Sequence, residues 1–191
     1  VTELMAFRKK INNDLGVKYS LNDYVLKATA KALKNNKHIL VSLDGDQIIK
    51  RAHVNIGMAV ALEDGLIVPV IKDADKMSLG EISEAARDLA ERARTNKLSM
   101  DEYKGSTFSI SNLGMFGVET FNPIINQPDA GILGVCAVQD ELVMDDAGAI
   151  TKRQFMRISF TFDHRLIDGA TAAKFELAIR DLMEHPMQIL L

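Results

Sequence analysis

The chain has 191 residues, 47% of them apolar and 26% charged, with a formal net charge of −3. That length and balance suit one globular domain with a substantial core. The lack of a basic excess argues against general nucleic-acid binding, and no apolar run reaches the length of a membrane span. The single cysteine, Cys136, leaves no internal disulfide framework and fits a reducing compartment. No signal peptide opens the chain. Its first residue is Val1, already inside a helical pattern, so a fragment of a longer, non-secreted polypeptide is expected.

Residues 2 to 14 read as a helix with Leu4, Phe7 and Ile11 on one face. "SLNDYVLKATAKALKNN" is a second, with Ser20 or Asn22 as cap and Val25, Ala28, Thr29, Ala32 and Leu33 at helical spacing. "LDGD", residues 43 to 46, reads as a plain turn, too short for a calcium loop. "HVNIGMAVAL" alternates as a strand does, with Val54, Ile56, Met58 and Val60 on one side. A turn at Glu63, Asp64 and Gly65 leads into "GLIVPVI", a continuous apolar run expected to be a strand buried on both faces. Pro69 within it belongs at an edge, a bulge or a strand end. "SLGEISEAARDLAERARTNKL" is the clearest helix, opened by Ser78 and Glu81 at capping-box spacing. Strands are expected at 106–112, 130–144 and 154–162, and a last helix from about 170 to 184 ends at "HP". Leu113 to Pro128 reads as a long loop, a common seat of function. The irregular alternation of helix and strand points to a mixed α/β architecture.

Common motifs are missing: no dinucleotide or phosphate glycine loop, no G-x-S-x-G and no H-E-x-x-H. His38, His53, His164 and His185 stand far apart without short-spaced metal-ligand companions, so no zinc or other metal site is expected. Two polar clusters at strand ends remain. In "RQFMRISFTFDHRLIDGA", Met156, Ile158, Phe160 and Phe162 share one strand face. Continued alternation would put His164 on that face, partly desolvated and so favouring the neutral base. Asp168 and Gly169 follow, either as site residues or simply as an N-cap and a tight turn. In "STFSISNLGMFG", Thr107, Ser109 and Ser111 share one face, and Asn112 and Gly114 sit where the strand breaks. This is either a solvated edge with a glycine turn or a hydroxyl aimed into a site whose glycines let a ligand approach the backbone.

"FSISNLGMFG", "PIINQPDAGILGV", "ISFTFDHRLIDGA" and "HPMQILL", in this order, resemble the catalytic domain of the dihydrolipoamide acyltransferases, the core components of 2-oxo acid dehydrogenase complexes. "SLNDYVLKA" and "NIGMAVALEDGLIVPVI" extend the likeness over nearly the whole chain. The resemblance implies a chloramphenicol acetyltransferase-like mixed sheet packed with helices, in trimers that build a larger hollow core, with active sites in channels between subunits. It implies acyl transfer from a lipoyl-lysine arm to coenzyme A, with His164 as base on the thiol and Ser111 stabilising the tetrahedral oxyanion. The lipoyl group would sit on a domain outside residues 1 to 191, as would a subunit-binding domain. A 2-oxo acid decarboxylase and dihydrolipoamide dehydrogenase would be partners. Asp168 would anchor the active-site loop through an arginine in an N-terminal segment that this chain lacks, rather than relay protons. Asn112, Gly114 and Arg165 are expected beside the substrate. "ISNLGMFG" resembles the acetyl-transferring and acetoin-cleaving types more than the succinyl type; succinyl or branched-chain transfer, another acyl acceptor on the same fold, or an inactive assembly core are the alternatives. Such enzymes would be cytoplasmic in bacteria and mitochondrial in eukaryotes.

Overall fold

The computed structural model describes residues 1–191. The chain forms five α-helices and nine strands; five of the strands make a mixed sheet with helices against one face and a long loop against the other, and the remaining four make two hairpins.

The helices begin and end where side-chain chemistry dictates. α1 spans Thr2–Leu15 and stops at Gly16, whose left-handed φ of 64° lets its N–H turn back to the Asn12 carbonyl. α2, Leu21–Asn35, opens with a reciprocal capping box: Ser20 Oγ accepts from the Asp23 amide and Asp23 accepts from the Ser20 amide. The Ser83 hydroxyl also donates to Asp23, at 2.7 Å, tying α2 to α3. α3, Leu79–Arg94, carries the Ser78–Glu81 box that its sequence spacing predicts. α4, Gly169–Glu184, is followed at Pro186 by the short α5, Met187–Leu190.

The central sheet runs β6-β3-β7-β8-β9. β3 (Ile56–Met58), β7 (Phe108–Asn112) and β8 (Gly131–Met144) are parallel neighbours. β6 (Val70–Ile71) and β9 (Ile150–Phe162) are antiparallel edges. Strand alternation sorts the two faces. Phe108, Ile110, Leu133 and Phe160 enter the core with the helices, and the Phe175 ring of α4 meets Phe108 and Phe160 edge-on at 5.4 and 5.3 Å. On the other face lie Ser109, Ser111, Gly134 and Ser159. The segment between β7 and β8 covers part of that face: Ser159 Oγ donates to the Phe121 carbonyl at 2.7 Å. A Cβ at Gly134 would stand 2.5 Å from that hydroxyl and 3.0 Å from Pro123, so only glycine lets the loop come so close.

Three local expectations need correction. "HVNIGMAVAL" is two strands in different sheets: β3 joins the central sheet, and β4 (Val60–Leu62) forms a hairpin with β5 (Gly65–Ile67). The partners change at Ala59, whose amide donates to the Ile110 carbonyl. "GLIVPVI" is not buried throughout, since Leu66 is 65% exposed on that hairpin and only Pro69, Val70 and Ile71 are buried. Pro69, which lacks an N–H, marks the break between β5 and β6. "LDGD" is a turn, as expected, and it links β1 (Val41–Asp44) to β2 (Gln47–Lys50) in an antiparallel hairpin. The strand before His164 also starts earlier than expected, at Ile150.

Candidate active site

β9 ends at Phe162 and the chain turns on Asp163. The Asp163 carbonyl accepts from the amides of Leu166 and Ile167, at 2.9 and 3.0 Å, while its carboxylate grips Arg165 through Nε and Nη2. That ion pair holds the Asp163 carboxyl below its ordinary range. Ile167 plugs into the core, 1% exposed. The turn swings His164 outward, so it is exposed rather than partly desolvated as continued alternation predicts. Its ring leans against Phe162, centroids 5.6 Å apart, and makes no hydrogen bond within the chain. Arg165 is committed to Asp163.

Asp168 is the N-cap of α4. Its carboxylate accepts from the Thr171 amide at 3.0 Å and the Thr171 hydroxyl at 2.7 Å. These bonds, the amide first, keep its carboxyl ionised below the ordinary range. No arginine pairs with it in this structure.

Ser111 is half-buried at the end of β7, and its hydroxyl has no partner in the chain. Asn112 is engaged at both ends of its amide: its Nδ2 donates to Asn22 Oδ1 of α2 at 2.9 Å, and its Oδ1 accepts from the Gly114 amide at 2.9 Å. Gly114 lies against β8, where a Cβ would stand 2.6 Å from the Cys136 carbonyl. The close backbone approach expected of this glycine is thus made by the protein's own strand.

One chain does not bring Ser111 and His164 together. Ser111 stands in the row Ser111–Gly134–Ser159, and His164 comes five positions after Ser159. At about 3.3 Å per residue that is a separation on the order of 15 Å along the strands, before two sideways steps of about 4.8 Å. They also face opposite ways, since Phe162, under the His164 ring, shares the helix-covered face with Phe160. Just after Ser111, Met115, Phe116 and Ile124 are 79%, 64% and 91% exposed, an apolar surface of the kind that contacts another chain.

A cluster that motif reading misses lies between these two groups. Asp129, 4% exposed, accepts from the Ser109 hydroxyl at 2.6 Å, and Asn126 Nδ2 donates to Ser109 Oγ at 3.2 Å. Burial pushes the Asp129 carboxyl up to about 6. The signal in the sequence is an acid opening an otherwise apolar strand, "PDAGILGV". No three His, Cys, Asp or Glu side chains stand where they could hold a metal ion, and no helix is long and apolar enough to cross a membrane.

Residues 1–191 match the family model for the catalytic domain of 2-oxoacid dehydrogenase acyltransferases. The chain is 44% identical over 191 residues to the dihydrolipoyllysine-residue acetyltransferase component of the pyruvate dehydrogenase complex of Zymomonas mobilis, covering 98% of this chain and 43% of that protein. It is 41% identical over 195 residues to the succinyltransferase component of the 2-oxoglutarate dehydrogenase complex of Rickettsia typhi, covering 100% of this chain and 49% of that one. The chain therefore spans less than half the length of these curated relatives. Among solved structures it is similar to Azotobacter vinelandii dihydrolipoamide acetyltransferase, studied for the catalytic role of one serine, one histidine and one asparagine (TM-score 0.92, 39% identity, 100% of this chain and 80% of that one). The cubic core of a pyruvate dehydrogenase multienzyme complex matches equally well (TM-score 0.92, 40% identity, the same coverage). Chloramphenicol acetyltransferase shares the fold alone (TM-score 0.59, 14% identity, 92% of this chain and 82% of that one).

Proposed function

Since the chain belongs to the 2-oxoacid dehydrogenase acyltransferase family, we propose that it transfers an acyl group, acetyl in the first instance, from a dihydrolipoyl thioester to coenzyme A. The observation that carries the reading is which polar groups are free. Around the two strand ends, Ser109, Asn112, Ser159, Asp163, Arg165 and Asp168 are engaged within the chain. The His164 imidazole and the Ser111 hydroxyl are not. In the Azotobacter relative the histidine and asparagine named for catalysis are four positions apart, as His164 and Asp168 are here; its serine precedes the histidine by within one position of the Ser111–His164 separation.

The chemistry needs those two groups. A thiol with an ordinary pKa near 8.5 is mostly protonated at neutral pH, and an imidazole can remove its proton as it attacks. In this reading the coenzyme A sulfur attacks the thioester carbonyl while its proton passes to His164. The carbonyl oxygen becomes an oxyanion that accepts a hydrogen bond from the Ser111 hydroxyl. Collapse breaks the bond to the dihydrolipoyl sulfur, which leaves with the proton held by His164. The enzyme itself is not acylated, so no nucleophile elbow is required.

Because Ser111 and His164 lie apart and face apart in one chain, the site is assembled from two copies, with Met115, Phe116 and Ile124 against the neighbour. A ring of three copies closes such a head-to-tail contact, and rings of this kind would build the core of a multienzyme complex. The lipoyl arm and the binding sites for the decarboxylase and dihydrolipoamide dehydrogenase would lie on other domains of the polypeptide. Acetyl rather than succinyl transfer rests on the likeness of "ISNLGMFG" to acetyl-transferring relatives.

The test is acyl transfer to coenzyme A from acetyl-, succinyl- and isobutyryl-dihydrolipoamide. His164→Ala is expected to abolish transfer, and Ser111→Ala to lower kcat by about a hundred- to a thousandfold with folding intact. A His164→Ala protein that keeps most of its rate removes the base, and preference for succinyl over acetyl corrects the substrate.

A further inference from the structure

The His164 ring has no hydrogen bond to orient it within the chain, so its direction depends on the backbone turn beneath it. One bond from the central sheet reaches the start of that turn: the Asp163 amide donates to the Ala130 carbonyl at 2.8 Å. Ala130 is 1% exposed and follows directly on Asp129. The strand order therefore sets the 126–130 segment beside the His164 turn, although the two are distant in sequence.

That segment is held by the buried polar cluster. The Asp129 amide donates to the Asn126 carbonyl at 3.0 Å and closes the turn. Its carboxylate accepts a hydrogen bond from the Ser109 hydroxyl at 2.6 Å, and Asn126 Nδ2 donates to the same oxygen of Ser109. Ser109 belongs to β7, in the middle of the sheet. Asp129 thus clamps the turn to a strand paired on both sides in the central sheet. The other carboxylate oxygen is buried with no close hydrogen bond, although the Ser106 side chain lies near the carboxylate and favours its charged form. The Arg51 guanidinium is near enough to act on the carboxylate only through its charge, being hydrogen-bonded through Nε to Ser42.

We propose that Asp129, acting through Ser109 on one side and the Ala130 carbonyl on the other, is a positioning residue that sets the His164 turn for proton transfer. The proposal rests on the reading of His164 as the base. Misplacement of a catalytic group by about 1 Å can cost about a hundredfold in rate. Loosening the clamp should therefore reach kcat before it reaches substrate binding.

The experiment measures kcat and KM for coenzyme A and acetyl-dihydrolipoamide in the full assembled protein, for Asp129→Ala, Asp129→Asn and Ser109→Ala, beside a His164→Ala control. Assembly is checked by sedimentation. Asp129→Ala and Ser109→Ala are expected to lower kcat by about ten- to a hundredfold, with KM and assembly little changed. Asp129→Asn keeps an oxygen for Ser109 and should recover most of kcat. Should Asp129→Ala not fold, Ser109→Ala still tests the clamp with the carboxyl in place. Unchanged kcat in Ser109→Ala and Asp129→Ala, or loss of kcat together with KM and assembly and without recovery in Asp129→Asn, overturns the proposal. Both leave the His164 reading standing, because that reading fails separately if the control retains activity.

Discussion

His164 and Asp129 show how far local pattern predicts environment. Alternation along β9 predicts a desolvated His164, but the Asp163 turn ends the alternation two residues early and exposes the ring. That turn depends on the carbonyl of Ala130, just before β8, which no local pattern contains. Asp129 is the reverse case, a carboxylate in a buried site. Its pKa of about 6 lies above the ordinary 3.8, so the folded state holds the proton more tightly than the unfolded chain. Its favourable contribution is therefore complete below about pH 3.8 and is lost as the pH rises through about 6. Asp129→Asn is expected to stabilise the fold at pH 7 by about 2–3 kcal/mol, and not at pH 4, as read from unfolding midpoints. Destabilisation at pH 7 would mean that the charge is better compensated than its surroundings indicate. Asp168 has the opposite sign. Its depressed pKa makes the cap most effective above the ordinary carboxylate range and weaker as pH falls through it. Asp168→Ala should lower the Tm at pH 7, while Asp168→Asn, which can also cap, should not.

At the scale of elements, the helices and the long strands are legible because each carries its own signals. The Ser20–Asp23 and Ser78–Glu81 boxes and Gly16 fix helix ends within a few residues of chain. The apolar rows of β7, β8 and β9 fix which face meets the helices. The division of "HVNIGMAVAL" is not legible, because Met58 and Val60 continue one apolar pattern while their hydrogen-bond partners change from β7 to β5. The β1–β2 hairpin carried an Asp-Gly turn, but its flanks, four residues each, are too short to announce strands. The centre of the fold is the aromatic contact between sheet and α4. Phe175→Ala is expected to destabilise by about 3–5 kcal/mol in denaturant unfolding. A loss below about 1 kcal/mol would show that α4 is not held to the sheet there, and with it would go the support for the His164 turn.

At the scale of the whole molecule, the residues proposed for the site are legible in the sequence and their arrangement is not. Ser111 and His164 stand out as polar groups at strand ends, and the family resemblance assigns them roles. Only sheet register shows that they occupy opposite faces and ends of one chain. On the proposed reading, two copies would meet across the exposed apolar segment after Ser111. A charge placed at its most exposed position, Ile124→Glu, should shift sedimentation toward monomer and reduce transfer in proportion. A monomer with full activity would contradict a shared site. The most direct measurement uses two variants that should each be inactive, His164→Ala and Ser111→Ala, co-expressed so that they assemble in mixed rings. A site taking Ser111 from one copy and His164 from its neighbour is restored in about a quarter of random positions. Acetyl transfer to coenzyme A at about that fraction of the unsubstituted rate is the expected result. Mixed assemblies no more active than either variant alone, with the unsubstituted protein fully active, would contradict the account.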